Sequence, residues 1–291
     1  MGIDAATLGA LTLAKHDGVD FTRVVTLGRQ GVHMRQDEIG HFLKRIGRAD
    51  LAARLGDKPL APFCEDLLAR LFGAGDVQSI DVSAYEQATI IHDMNKPLAP
   101  AQTFSLVADI GSLEHIFNVP VALDNIAALC AEGGHILHVL PGSNYSGHGF
   151  YQFSPELFFN AYSAARGFSN LRVFMVTMGK PTLWWAVKAP QDLKGRVNLS
   201  SWDQCYVIAL VKKGAPQPSL AENPLQQSDY AQGSWSGEGD GIAKPKPARS
   251  EGLLAMRDLI APLRQRRKIA KIALERPRGD ISAHKLADLV A

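Results

Sequence analysis

An α/β fold, with a mostly parallel seven-stranded sheet flanked by helices and a helical extension at the C-terminal end, is what this sequence predicts. Two observations predict it. Residues 104–159 read as strand, loop, helix, strand, loop, helix, and a strand, crossover helix and second strand imply parallel pairing with both faces buried. Short apolar runs at 23–27, 77–82, 104–109 and 136–140 are each followed by a polar, glycine-bearing or acidic loop. Those loops are where an open parallel sheet binds ligands, beyond the carboxyl ends of its strands.

Taken in order, Asp4 can cap a helix through about Lys15, with Ile3, Leu8, Leu11 and Leu13 supplying its apolar residues. The strand at 23–27 ends at the loop Gly28-Arg29-Gln30-Gly31, and helical patterns follow at 36–47 and 59–72, an insertion spanning about 36–73. Strands are expected at 77–82, with Asp81 near its carboxyl end, and at 88–91, followed by His92 and Asp93. In the central stretch, 121–130 has helical spacing, Gly133-Gly134 stops that helix, and 136–140 is the next strand. Ser154, Pro155 and Glu156 open a helix that Gly167 ends. Late strands at 171–178, 183–187 and 204–211 complete the sheet as an antiparallel edge pair.

The chain divides into an α/β domain at 1–213, a linker or surface wrap at 214–248, and a basic helical tail at 249–291. The linker is rich in Pro, Gly, Ser and Gln. The tail reads as a helix over 250–275, with Leu253, Leu254, Met256, Leu259, Ile260, Leu263, Ile269 and Ile272 apolar and a basic cluster of Arg264, Arg266, Arg267, Lys268 and Lys271. Such a helix docks by its apolar side and leaves its basic face in water, or else meets an anionic surface. It lacks aromatic residues, so nucleic acid is not expected.

Composition bounds the function. With 291 residues and 46% hydrophobic content, the chain can bury one sizeable core, or one core plus an appendage, and a net charge of +2 makes no strong claim about partners. Cys64, Cys130 and Cys205 are far apart and odd in number, which reads as buried free thiols of a reducing compartment. There is no basic leader and no membrane-length apolar run, so the cytoplasm is the expected location. No metal spacing is found: His135 and His138 point to opposite faces of a strand.

The acidic residues after successive strands suggest nucleotide chemistry. Asp81 is placed to accept hydrogen bonds from ribose hydroxyls and Asp93 to meet an adenine amino group, although either could be a turn or helix cap. GRQG lacks the three-glycine spacing of a dinucleotide loop, and neither a P-loop nor a Gly-x-Ser-x-Gly elbow occurs.

The span 18–212 resembles a class I S-adenosylmethionine-dependent methyltransferase of the small-molecule type, a Rossmann-like fold. ADIGSLEHIFNVPVALDNIAALCAEGGHILHVLP looks like the fourth strand, Leu-Glu-His loop, helix, Gly-Gly turn and fifth strand of that family. SIDVS and IIHDM are similar to its second and third strands. The resemblance implies S-adenosylmethionine as cofactor and methyl transfer to a small-molecule or saccharide acceptor. Gly28 would border the methionine moiety with Arg29 beside it, Asp81 would hold the ribose and Asp93 lie near the adenine. Residues 109–115, beginning with Asp109 and Ile110, would line the methyl-transfer cleft. The first motif departs from the family: Thr26 stands for the usual acid and Gln30 for the middle glycine. For a hydroxyl acceptor, His148 and His115 are the candidate bases, His148 first because glycines flank it, and Tyr151 could orient the acceptor. His115 could equally make a structural hydrogen bond within its loop. The altered glycine loop leaves a second reading open, a binding or scaffolding module that has lost the cofactor.

Overall fold

The computed structural model describes residues 2–192, 201–215, 218–228 and 281–291. Helix α1 (Ala5–His16) starts where expected, because the Asp4 carboxylate accepts from the Thr7 N–H at 2.8 Å. β1 (Arg23–Leu27) follows. The crossover to β2 (Asp76–Asp81) holds α2 (Gln36–Arg45), α3 (Ala49–Ala53) and α4 (Cys64–Phe72). The pattern begun at Pro59 becomes helical only at Cys64. Pro62 biases its neighbour towards extended backbone, Phe63 bridges to Gly31, and the Cys64 N–H donates to Gln30 O at 2.9 Å.

β3 (Ile90–Ile91) is short, and β4 (Phe104–Ile110) leads through a single helical turn at Leu113–His115 into α5 (Val119–Leu129). β5 (Cys130–Ser143) begins directly after α5, so the Gly133-Gly134 pair lies inside an extended strand and bends it instead of capping the helix. α6 (Pro155–Ala161), capped by Ser154, is shorter than expected, since Tyr162 leaves the helix. β6 (Phe168–Thr177), β7 (Leu183–Val187) and β8 (Cys205–Lys213) follow.

Among the described residues the strands form one nine-stranded sheet, ordered β3-β2-β1-β4-β5-β8-β6-β7-β9. β1 to β5 pair in parallel, and β8 runs antiparallel between β5 and β6. The antiparallel member was expected at the edge. It is central because all seven residues from Cys205 to Val211 are buried, and a continuous apolar run needs cover on both faces. β7 and β9 (Ile281–Lys285) form the edge instead.

Successive residues on each strand face opposite layers. Val24, Leu106, Leu137 and Leu210 join the core shared with α1, α2 and α4, whereas Val25, Val107, Ile136 and Ala209 join the core shared with α5 and α6. All three cysteines are free and buried. Burial pushes the Cys64 and Cys130 thiols up to about 12, and Cys205 to about 11, so none is poised as a nucleophile.

The chain's end adds structure where a basic helix was expected. Residues 281–285 are β9, and α7 (Leu286–Leu289) follows; the basic stretch 250–275 lies outside the described residues. Leu286 is fully buried against α1, where a Cβ added at Gly9 would fall 2.7 Å from Leu286 Cδ2 and 3.0 Å from Trp184 Cζ2. Residues 218–228 lie on the surface as a wrap, with Leu220 buried and its N–H donating to Asp124 at 2.8 Å. Leu286→Ala is expected to destabilise the fold by about 2–5 kcal/mol, read as a lower denaturation midpoint. An unchanged midpoint would mean that the C-terminal segment does not dock on α1.

Candidate active site at the carboxyl ends of the strands

The loops after β1, β2, β4 and β5 share one end of the sheet. After β1 the backbone turns at Gly28, whose φ of 68° favours glycine. A Cβ at Gly28 would meet Ser112 Oγ at 3.4 Å, Gln30 Nε2 at 3.5 Å and Asp81 Oδ2 at 3.9 Å, so residues from three strand ends converge on this turn. One oxygen of Asp81 accepts from the Ser83 N–H at 3.3 Å, while the other faces Gly28. The Ser112 hydroxyl donates to Leu27 O at 2.6 Å and ties the β4 loop to the β1 loop.

The two departures in the glycine loop have structural work. Buried Thr26 donates to Gly28 O at 2.8 Å. Buried Gln30 folds back so that Nε2 donates to Leu27 O at 2.6 Å, which leaves its Oε1 without a hydrogen-bond partner. Arg29 is held by Glu65 at 2.6 Å, donates to Glu86 O at 3.0 Å and stacks over Phe63 with its guanidinium 4.1 Å from the ring. Its charge is already matched within the protein.

Asp93 is engaged by its own turn, accepting from Asn95 N–H at 3.0 Å and facing Lys96 at 3.6 Å. Asp109 and Ile110, expected to line the cleft, have side chains that are 0% and 1% exposed. Asp109 is a core group. It accepts from the Ser112 and Leu113 N–H groups at 3.2 Å each, and His138 Nδ1 lies 2.8 Å away. His138 Nε2 is 2.6 Å from the Tyr162 hydroxyl. A carboxylate only accepts, so His138 donates through Nδ1 and accepts the Tyr162 O–H hydrogen bond at Nε2. Burial raises the Tyr162 phenol well above its ordinary value and keeps that donor protonated.

The β4 and β5 loops bring the two predicted histidines together, with ring centroids 5.1 Å apart. Between them lies Glu114, which the sequence reading did not single out. Glu114 is fully buried, and neither carboxyl oxygen has a hydrogen-bond partner within the protein. His115 Nε2 and His148 Nε2 stand 3.7 and 3.6 Å from Glu114 Oε1. Burial, and then the negative charge of Asp109, push the Glu114 carboxyl up to about 8. Burial, and then the neighbouring His148, hold His115 below its usual value.

The β5 loop is shaped for this approach. Gly147 and Gly149 have φ of 86° and 81°, and a Cβ at Gly149 would sit 2.7 Å from Glu114 O. That carbonyl accepts from the Phe150 and Tyr151 N–H groups at 2.7 and 3.3 Å. Tyr151 is a clasp between the loops: its hydroxyl donates to Phe117 O at 3.0 Å. Exposed Phe117 and Phe150 meet edge to face, 5.8 Å between centroids, and form an apolar rim. A usable signal for Glu114 was its place beside His115 in a loop too short to bury a carboxyl with local partners.

No family model matches the sequence, and no curated protein matches it. Among solved structures, the chain is similar to the N-methyltransferase NodS from Bradyrhizobium japonicum, at 13% identity over 71% of this chain and 94% of that one, with a TM-score of 0.36. A second is the 1,6-didemethyltoxoflavin-N1-methyltransferase of Burkholderia thailandensis, with bound 1,6-didemethyltoxoflavin and S-adenosylhomocysteine, at 15% identity over 72% and 79% of the two chains and a TM-score of 0.37. At these scores the likeness carries no weight of its own. The α/β fold is established by the chain's own strand order, which follows the doubly wound 3-2-1-4-5 order and then inserts the reversed β8.

Tyr162→Phe would leave the buried His138 Nε2 without its donor and is expected to destabilise the fold by about 1–3 kcal/mol in chemical denaturation. An unchanged midpoint would show that the Asp109–His138–Tyr162 chain contributes nothing to stability.

Proposed function

We propose that this chain transfers a methyl group from S-adenosylmethionine to a small-molecule acceptor, a saccharide among the candidates. The observation that supports this most is the Gly28 turn at the end of β1, left-handed and faced by an oxygen of Asp81 from the end of β2. It combines open backbone with an acid suited to ribose hydroxyls, at the topological position where open sheets bind nucleosides. The buried Gln30 Oε1, unpartnered beside that turn, suits a cationic amino group. Gly28, Asp81 and Gln30 would thus hold the cofactor, which when bound supplies a methyl group already activated on a sulfonium.

The protein's remaining tasks are to position the acceptor, exclude water and remove a proton. Phe117 and Phe150 offer an apolar face for the acceptor, and Tyr151 fastens the β5 loop, which carries Phe150, to Phe117. His148 is the better-placed base. Its Nε2 is buried and has no hydrogen-bond partner within the protein, and its glycine neighbours let the backbone come close. The second reading, a binding module without cofactor, draws on one observation: the Gln30 side chain packs under Gly28, where the family has a glycine.

Calorimetric titration with S-adenosylmethionine and S-adenosylhomocysteine separates the two. Binding weakened roughly tenfold or more by Asp81→Ala is expected, as for a lost charge-assisted hydrogen bond. No heat with either ligand would favour the binding module. Given an acceptor, His148→Ala should lower turnover by about 10²-fold or more, and near-normal turnover would remove His148 from the mechanism.

A further inference from the structure

We infer that Glu114, His115 and His148 form a site for one divalent first-row transition-metal ion, zinc being the simplest fit. Each residue offers one ligand atom, and these atoms all lie within 4.8 Å of one another. The two imidazole-to-carboxyl separations, 3.7 and 3.6 Å, are too long for direct hydrogen bonds. They match what an ion between them requires: donors about 2.0–2.2 Å from a tetrahedral centre stand roughly 3.4 Å apart. Two imidazoles and one carboxylate are also a donor set that borderline divalent ions favour over magnesium or calcium.

The second observation is Glu114 itself. A carboxyl group with no exposure and no hydrogen-bond partner is costly to bury, and coordination to a metal ion would supply the missing partner. The two loops hold it there, since its own carbonyl binds the Phe150 and Tyr151 N–H groups. No Lys or Arg side chain pairs with it among the described residues; its ion-pair partners are the two histidines. Three protein donors would leave a tetrahedral ion one unfilled position, as in catalytic rather than structural sites.

An oxygen of the acceptor could take an open position. The ion would then make its hydroxyl easier to deprotonate, the proton passing to bulk water, and His148 would be a ligand and not the base assigned above. That use of the ion rests on the methyl-transfer reading; the binding of the ion does not.

Equilibrium dialysis of the metal-stripped full chain against Zn²⁺, with Co²⁺ absorption as a report of ligand geometry, tests the site. One ion per chain is expected. Glu114→Gln and His148→Ala should each weaken it by more than the roughly 10–100-fold that loss of an outer-shell partner costs. The exposed His41, outside the cluster, serves as control, and His41→Ala should leave affinity unchanged. Absence of stoichiometric binding, or binding indifferent to His148→Ala, would overturn the proposal. Should Glu114→Gln not fold, His148→Ala on its glycine-flanked loop still decides the matter. Cofactor titration has its own readout, so the two proposals fail separately.

Discussion

The buried carboxylate of Asp109 is the constraint on which the site depends. A charge with no solvent access persists only where hydrogen bonds replace its hydration, and Asp109 gathers three: two backbone N–H groups of its own loop and the His138 ring. Those two backbone bonds define the turn after β4, and that turn places Glu114 and His115. The His138 ring passes the constraint to Tyr162 and so draws the end of α6 against the sheet. One satisfied charge therefore sets the position of one loop and a helix end.

Around that anchor the sheet supplies convergence. Parallel pairing of β2, β1, β4 and β5 brings all their carboxyl ends to one side, so short loops far apart in sequence face one another. Ser112 fastens the β4 loop to β1, and Tyr151 fastens the β5 loop to Phe117. Gly149 allows the β5 loop to lie directly on the Glu114 backbone, where any Cβ would collide. The result is a buried carboxyl group with two partly exposed histidines beside it and an aromatic pair nearby.

Much of this was legible in residue order. β1, β7 and the cap on α1 fall at their expected positions, because each is set by local chemistry: an apolar run, a turn residue, a side chain that reaches its own backbone. Asp81 and the Gly28 turn were also readable, since strand-end placement follows from strand order. The sequence could not tell Asp109 from Asp81. Both are acids at strand ends, yet one is sealed under the sheet's helices and the other is open.

What the sequence determined by itself was the α/β class, the succession of strands and the set of polar loops, since periodicity and turn chemistry act over a few residues. Tertiary structure decided the rest. It placed β8 inside the sheet because its unbroken apolar run needs two covered faces, and it recruited residues 281–285 to cover the β7 edge. It also made Glu114 the centre of the candidate site, for a carboxyl group's burial and partners depend on what a loop 34 residues later brings beside it, as His148 does here.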